Sequence, residues 1–336
     1  MGLYGSGPPL VRAGTWLSHI EDDALPGSFS RPYVDAFTRH FRYITYDARG
    51  TGLSDRHVDD VSLDGWVRDL EAVVDAVGLE RFCLYGLSMG APIAVRYAAR
   101  HPGRVERLVL VNGFATSYFT TSKVDADITA EAETLLRIAQ IGWGRKTSEF
   151  RRVFATRFAP SASPQYLDAF DRMQQRANAP EMATRALEAM FRVDVKADAR
   201  ALRCPVLVMQ VSGDQLIHPS QGRSLAGMIP GARLIPLPGD YHLPPPGDPA
   251  FDLIVSEALA FFGANTAPDP AASLTPRQRQ VLQHVAAGHA DKLIARDLKL
   301  SPRTVEMHVA RALRALGATT RAEAVHKATQ QHLLDI

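Results

Sequence analysis

The chain has 336 residues, of which 46% are hydrophobic and 22% charged, with a formal net charge of +2 and two cysteines. That length holds roughly two domains at about 150 residues each, and the composition excludes a disordered chain, a collagen-like repeat and a disulfide scaffold. The longest apolar runs, such as Leu108 to Val111, fall far short of the roughly 20 residues that span a bilayer, and no basic-then-apolar leader opens the chain; no membrane partner and a cytoplasmic location are expected.

In chain order, short β-rich runs at Leu10 to Arg12, Tyr43 to Tyr46, Phe82 to Tyr85, Leu108 to Val111, Val206 to Met209 and Arg233 to Pro236 alternate with helical patterns. That alternation predicts an α/β fold around a mostly parallel sheet. Between about 115 and 203 the pattern is helical without strands and carries Ile141, Trp143, Phe150, Phe154, Tyr166, Phe170, Met190 and Phe191. This reads as an inserted cap. Most of these side chains are expected to fill its own core and a few to line a pocket between cap and sheet. Cys83 and Cys204 lie far apart in apolar segments and read as reduced thiols rather than a bridge or a metal site.

The small residues and prolines from Gly263 to Ser273 have no apolar periodicity and mark a linker. The expected organisation is therefore 1–262, a linker over 263–273, and a small helical domain over 274–336. Residues 273–336 hold 10 Lys+Arg against 5 Asp+Glu, which leaves 28 against 31 for the rest, so a tail of +5 follows a body of −3. This asymmetry points the tail toward a polyanion, with a solvated surface as the alternative.

Phe82 to Tyr85 runs as a strand into Gly86-Leu87-Ser88-Met89-Gly90, and Ala91 to Arg100 follows as a helix. A Gly-x-Ser-x-Gly turn between strand and helix lifts Ser88 above the sheet and leaves the Met89 N–H facing the place where an oxyanion forms. With that context in place, the body from Pro8 to Phe262 resembles the α/β-hydrolase family, whose triad order is Ser, acid, His. The resemblance implies Asp214, after the strand at Val206 to Met209, as the acid and His242, in Leu237-Pro-Gly-Asp-Tyr-His242, as the base. Taken singly, Asp214 would be a turn residue and His242 a loop histidine. Asp240, in the same short loop as His242, is an unlikely rival acid. Asp47-Ala-Arg-Gly50-Thr-Gly52-Leu-Ser54-Asp55 resembles the family's loop after the third strand, shaping the site floor.

Two departures from the family stand out. The usual His-Gly after the first core strand reads Arg12-Ala13-Gly14-Thr15-Trp16, so the second oxyanion donor is expected from the N–H of Thr15 or Trp16. Only Met1 to Pro9 precede that strand, so the sheet is expected to lack an edge or the start to be trimmed.

In the tail, Thr275-Pro276 opens a helix followed by Gly288, a short helix runs from about Asp291 to Asp297, Ser301-Pro302 opens another closed by Gly317, and Thr320-Arg-Ala-Glu323 forms a capping box. Asp291 to Leu316 has helix-turn-helix spacing. On the Pro302 helix, Val305, Val309, Ala312, Leu313 and Leu316 form an apolar face. Arg303, Met307, Ala310 and Arg314 form a separate stripe flanked by Glu306 and Arg311, suited to a major groove. Ser301 and Thr304 hydroxyls can meet phosphate at the helix start.

Leu274-Thr-Pro-Arg-Gln-Arg-Gln-Val-Leu, Ala290-Asp-Lys-Leu-Ile-Ala and Leu300-Ser-Pro-Arg-Thr-Val-Glu-Met-His resemble the LuxR-type DNA-binding domain. The resemblance implies DNA-facing roles for Lys292, Thr304, Glu306, Met307, Ala310 and Arg311. Gln278 and Gln280 replace usual acids, Leu293 another, and Lys299 a usual Gly.

The two halves together resemble one-component bacterial regulators, in which the N-terminal part senses a small molecule and the C-terminal part binds promoter DNA. The expected partners are double-stranded promoter DNA, a small ester, thioester or lactone in the cap pocket, and a second copy of the chain in a homodimer, with RNA polymerase a further candidate. The alternative is a working serine hydrolase whose helix-turn-helix serves localisation or dimerisation. Neither a cofactor nor a metal is implied.

Overall fold

The computed structural model describes residues 1–25, 27–121, 126–264, 274–316, 318–330 and 333–334, apart from the side chains of Arg314 and Gln330. Two compact units form, Met1–Ala264 and Asn265–Ile336. Most of the proline-rich stretch expected as a linker, 265–273, lies outside the described residues, as does Gly317.

The first unit runs β1 (Gly2–Tyr4), β2 (Pro9–Arg12), a tight turn at Ile20–Asp23, α1 (Arg31–Phe37), β3 (Arg42–Thr45), α2 (Leu63–Ala76), β4 (Phe82–Leu87), α3 (Gly90–Arg100) and β5 (Val105–Val111). The cap helices follow: α4 (Ala126–Gly142), α5 (Glu149–Phe158), α6 (Pro164–Ala177), α7 (Pro180–Phe191) and α8 (Lys196–Ala201). The sheet then resumes with β6 (Val206–Val211), α9 (Pro219–Met228), β7 (Arg233–Leu237) and α10 (Pro249–Phe262).

The seven strands lie in the order β1-β3-β2-β4-β5-β6-β7, and all neighbours are parallel except β1 with β3. Alternate side chains explain the two cores. Val11, Leu84, Leu108, Leu110, Val206 and Val208 face a cluster that takes in Trp66 and Leu70 of α2 and Ile93 of α3. Their neighbours Leu10, Tyr85, Val109, Leu207 and Met209 face a second cluster with Phe37 of α1 and Ile254 of α10. A sheet covered on both faces reads as near-continuous apolar strands, and every residue of β6 is buried.

One expectation is corrected here. The sheet does not lack its edge: Gly2–Tyr4 pairs antiparallel with Tyr43–Thr45, a strand too short and too dependent on a distant partner to show in local pattern. In the cap, Ile141 is 39% exposed, and Phe150 and Tyr166 are half-buried. Trp143, Phe154, Phe170, Met190 and Phe191 are buried, as expected for most of the set, and Trp143 and Phe154 pack on each other and on Trp16, their ring centroids 5.4 and 6.4 Å from that of Trp16. Inside the cap, Arg151 is fully buried and bonded to Asp171 and to the carbonyls of Trp143 and Arg145.

The second unit is all-α: α11 (Pro276–Ala286), α12 (Asp291–Asp297), α13 (Pro302–Ala315) and α14 (Arg321–Gln330). Thr275 and Gln278 form a reciprocal capping box, so the Gln that replaces an acid keeps its capping use. At the last helix the expected box is shared differently. Thr320 Oγ accepts from the Glu323 N–H, but Glu323 accepts from Thr319, not Thr320. Lys299 occupies the left-handed region at φ 53, where a glycine would sit without strain. A bidentate pair from Arg321 to Asp291, 2.6 and 2.8 Å, ties α14 to α12.

Candidate active site and nucleic-acid interface

Every element of the candidate hydrolytic site sits in a loop beyond the carboxyl end of a parallel strand, where α/β sheets hold ligands. Ser88 follows β4 with φ 54, so the backbone strain of the elbow falls on the serine itself. The flanking glycines serve close approach instead. A Cβ on Gly86 would stand 2.7 Å from the Gly90 carbonyl oxygen, and one on Gly90 3.1 Å from that of Ala13.

Asp214 follows β6 and is fully buried. One carboxylate oxygen accepts from the N–H groups of Leu216 and Ile217 at 2.8 and 3.0 Å, and the other pairs with His242 Nδ1 at 2.7 Å. An ionised carboxylate so held fixes the imidazole with Nδ1 protonated and Nε2 free to accept. His242 Nε2 is buried without a protein partner, and His242 and Ser88 line one cavity of about 80 Å³. A direct Ser88 to His242 hydrogen bond is not formed, as is common before substrate tightens such a site. Asp240 is engaged elsewhere, accepting from Ser161 Oγ at 2.7 Å.

Thr15 and Trp16 line the same cavity. The Trp16 carbonyl accepts from Asn178 Nδ2 at 2.6 Å. Met89 is fully buried at the start of α3. Of the cap residues singled out in the sequence, Phe170 reaches the cavity, joined by Phe158 and Met173. The Asp47 loop acts from outside the cavity lining. Its carboxylate accepts from Ser18 Oγ and the N–H groups of Ile20 and Leu53, and a side chain on Gly52 would strike it.

Asn112 escaped sequence reasoning. It follows β5 at φ 47 and is fully buried. Its Nδ2 donates to the His242 carbonyl at 2.7 Å and its Oδ1 accepts from the Val211 N–H at 2.8 Å, so one amide joins three strand ends. The His242 N–H in turn donates to the Phe158 carbonyl of the cap at 2.6 Å. Burial pushes the Cys83 thiol up to about 11, and both cysteines are free.

On α13, Val305, Val309, Ala312 and Leu316 are buried, and Leu313 is half-buried. Arg303, Glu306 and Ala310 are exposed, with Thr304, Met307 and Arg311 half-buried, so the stripe lies opposite the apolar face. Lys292 is exposed on α12. The Arg314 side chain lies outside the description. Ser301 Oγ accepts from the Thr304 N–H at 3.1 Å and meets Thr304 Oγ1 at 2.7 Å, so Ser301 caps the helix that presents the stripe and the Thr304 hydroxyl braces that cap. Beside it, His284, His289 and Asp297 bring potential metal-ligand atoms within 4.8 Å of one another; the two histidine Nδ1 atoms are 2.9 Å apart, and the exposed Asp297 pairs with Arg296.

The model of the alpha/beta hydrolase fold matches residues 24–249, more than half of the chain. The chain belongs to the alpha/beta hydrolase fold family. Residues 272–328 match the family of bacterial regulatory proteins, luxR family, so a LuxR-type helix-turn-helix unit follows the hydrolase fold. A putative carbamate hydrolase RutD from Caulobacter is 28% identical over 241 residues, covering 64% of this chain and 79% of that one. RutD from Shigella flexneri is 26% identical over 243 residues, covering 70% and 87%. Among solved structures, an enol-lactonase from Burkholderia xenovorans superposes with a TM-score of 0.63 at 23% identity, covering 77% of this chain and 94% of that one. An esterase from Exiguobacterium antarcticum reaches 0.65 at 19%, covering 78% and 94%. These structures share the fold. Among the described residues no helix is long and apolar enough to cross a membrane.

Proposed function

We propose that this chain is a DNA-binding transcriptional regulator whose hydrolase-fold unit senses, and also hydrolyses, a small ester, thioester or lactone. The observation that carries the reading is the buried Asp214–His242 pair, whose free Nε2 shares a cavity with Ser88 on its strained elbow. In the proposed chemistry Ser88 Oγ attacks the ligand carbonyl while His242 Nε2 takes the hydroxyl proton. The resulting oxyanion is met by backbone N–H groups of Met89 and of Thr15 or Trp16. His242 then protonates the departing alcohol or thiol, and water releases the acyl group by the same steps in reverse order. This chemistry asks nothing of the His284 cluster.

The α13 stripe with Lys292 is the proposed DNA surface, presented as a homodimer to a two-fold promoter site, with RNA polymerase the candidate downstream partner. A working hydrolase that uses its helix-turn-helix only for localisation or dimerisation is the second reading, favoured by the complete Ser88, Asp214 and His242 set. The test measures nitrophenyl ester turnover across acyl lengths together with DNA binding by the full chain. Ser88→Ala is expected to lose turnover by several orders of magnitude while DNA binding persists and weakens with salt. Absence of Ser88-dependent turnover in folded protein removes the hydrolytic claim. Salt-independent or absent DNA binding removes the regulatory one.

A further inference from the structure

The cavity that reaches Ser88 and His242 continues into a polar end whose hydrogen-bonding capacity the protein does not use. Arg12 Nε, Ser30 Oγ, Tyr43 OH and Tyr85 OH are all buried without a protein partner, and all four residues line this cavity. The sheet register brings them together. Arg12 sits beside Tyr85 on the neighbouring strand β4, and Tyr43 comes from β3 on the other side of β2. The nearby Tyr33 is already satisfied, its hydroxyl donating to the Pro244 carbonyl at 2.9 Å.

All four unused atoms can act as donors. Burial raises the phenols of Tyr43 and Tyr85 well above their ordinary value, so both keep an O–H near neutral pH. Burial works most strongly against the charge on Arg12, but Asp23 together with Tyr43, Asp47 and Tyr85 outweighs it and the guanidinium stays protonated. A buried donor with no acceptor is destabilising, and four in one place ask for an oxygen-bearing occupant. The charges select its class. Arg12 already faces the buried Asp23 at 3.6 Å, Asp23 accepts from Thr45 Oγ1 at 2.6 Å, and Asp22 pairs with Arg176 at 2.6 Å. Each lining aspartate thus already holds an arginine, Asp23 with Arg12 and Asp22 with Arg176, so no uncompensated cation is left to hold a carboxylate and a neutral acceptor fits better.

We infer that this end of the cavity is a specificity subsite for an uncharged oxygen acceptor, such as a ketone, amide or ring carbonyl, on a ligand whose acyl carbon sits at Ser88. The inference rests on the hydrolytic reading above for its second anchor. Phe29, Phe170 and Met173 add apolar lining to the same cavity, so the ligand class is a short acyl or lactone compound with a second carbonyl at its far end.

Three nitrophenyl esters of equal acyl length test it: a plain alkyl acid, one with a ketone near the far end, and one ending in a carboxylate. The wild-type kcat/KM is expected to favour the ketone over the plain ester about tenfold, the factor that one well-made hydrogen bond provides, and to rank the carboxylate last. Tyr43→Phe and Tyr85→Phe preserve shape and should each bring the ketone-to-plain ratio down severalfold; taking the ratio within one variant cancels any general loss of activity. Arg12→Leu strands Asp23, so the tyrosine variants carry the test if it fails to fold. A wild-type ratio near one, a ratio unmoved in both tyrosine variants, or preference for the carboxylate overturns the subsite. If no ester is turned over, the hydrolytic reading fails on its own, and the subsite is then judged by thermal shift of Ser88→Ala with the matching keto and plain amides. A larger shift with the keto amide that vanishes in Tyr85→Phe upholds it, and equal shifts refute it.

Discussion

Replacing Asn112 with Ala should destabilise the hydrolase-fold unit far more than the loss of one surface amide would suggest. The substitution strands two buried backbone groups, the His242 carbonyl and the Val211 N–H, which Asn112 bonds at 2.7 and 2.8 Å. Each stranded group costs about 1–3 kcal/mol. The residue also sits at φ 47, which Asn tolerates and Ala does not, adding about 1 kcal/mol. The expected loss is about 3–7 kcal/mol, which for a unit of this size lowers Tm by roughly 6 °C or more. All three tryptophans, Trp16, Trp66 and Trp143, lie in this unit, so urea unfolding followed by tryptophan fluorescence reads it without interference from the helix-turn-helix. Asn112→Gly separates the contributions, since it strands the same groups but relaxes the backbone. It should recover about 1 kcal/mol relative to Ala. A loss below about 1 kcal/mol for the Ala variant would refute the claim that this amide joins β5, β6 and the His242 loop.

Three further outcomes follow. Ser88→Gly should be more stable than Ser88→Ala by about 1 kcal/mol in the same urea assay, because only glycine relieves the positive φ; equal stabilities would place the elbow strain elsewhere. On DNA, Lys292→Ala should weaken operator and random duplex alike, whereas Met307→Ala and Ala310→Glu should change the ratio between them by about 1–3 kcal/mol at fixed salt, and an unchanged ratio would remove the stripe from the groove. Arg321 hydrogen bonds hold the Asp291 carboxyl below its ordinary value, so its contribution is fully present above the unfolded carboxylate range and is lost as pH falls through the lowered folded value. Asp291→Asn should therefore reduce amide-exchange protection in α12 and α14 at pH 7 by no more than about 1 kcal/mol for so exposed a pair, with the difference from wild type shrinking as pH falls below about 4. A difference that grows on acidification would contradict that sign.

What the sequence determined by itself was local and ordered along the chain. The strand, Gly-x-Ser-x-Gly and helix around Ser88 are contiguous, and Gly86 meets only the start of the next helix, although Gly90 also packs against Ala13 from a distant strand end. The helix-turn-helix is likewise written in caps and short periodic faces, so Val305, Val309 and Ala312 could be separated from Arg303, Met307 and Ala310 by spacing alone. Residues whose purpose is a partner far along the chain stayed unreadable. Gly2–Tyr4 becomes a strand only because Tyr43–Thr45 offers an unpaired edge. Asn112 matters through Val211 and His242, and no local pattern marks an asparagine after a strand as a clamp. Arg12 looked like a missing family residue; the register of β2 against β3 and β4 sets it among Tyr43 and Tyr85, in the lining of the cavity that reaches the serine. Hydrogen bonds and charges between strands distant in sequence are created by the fold itself, and the ligand class follows from them rather than from any motif.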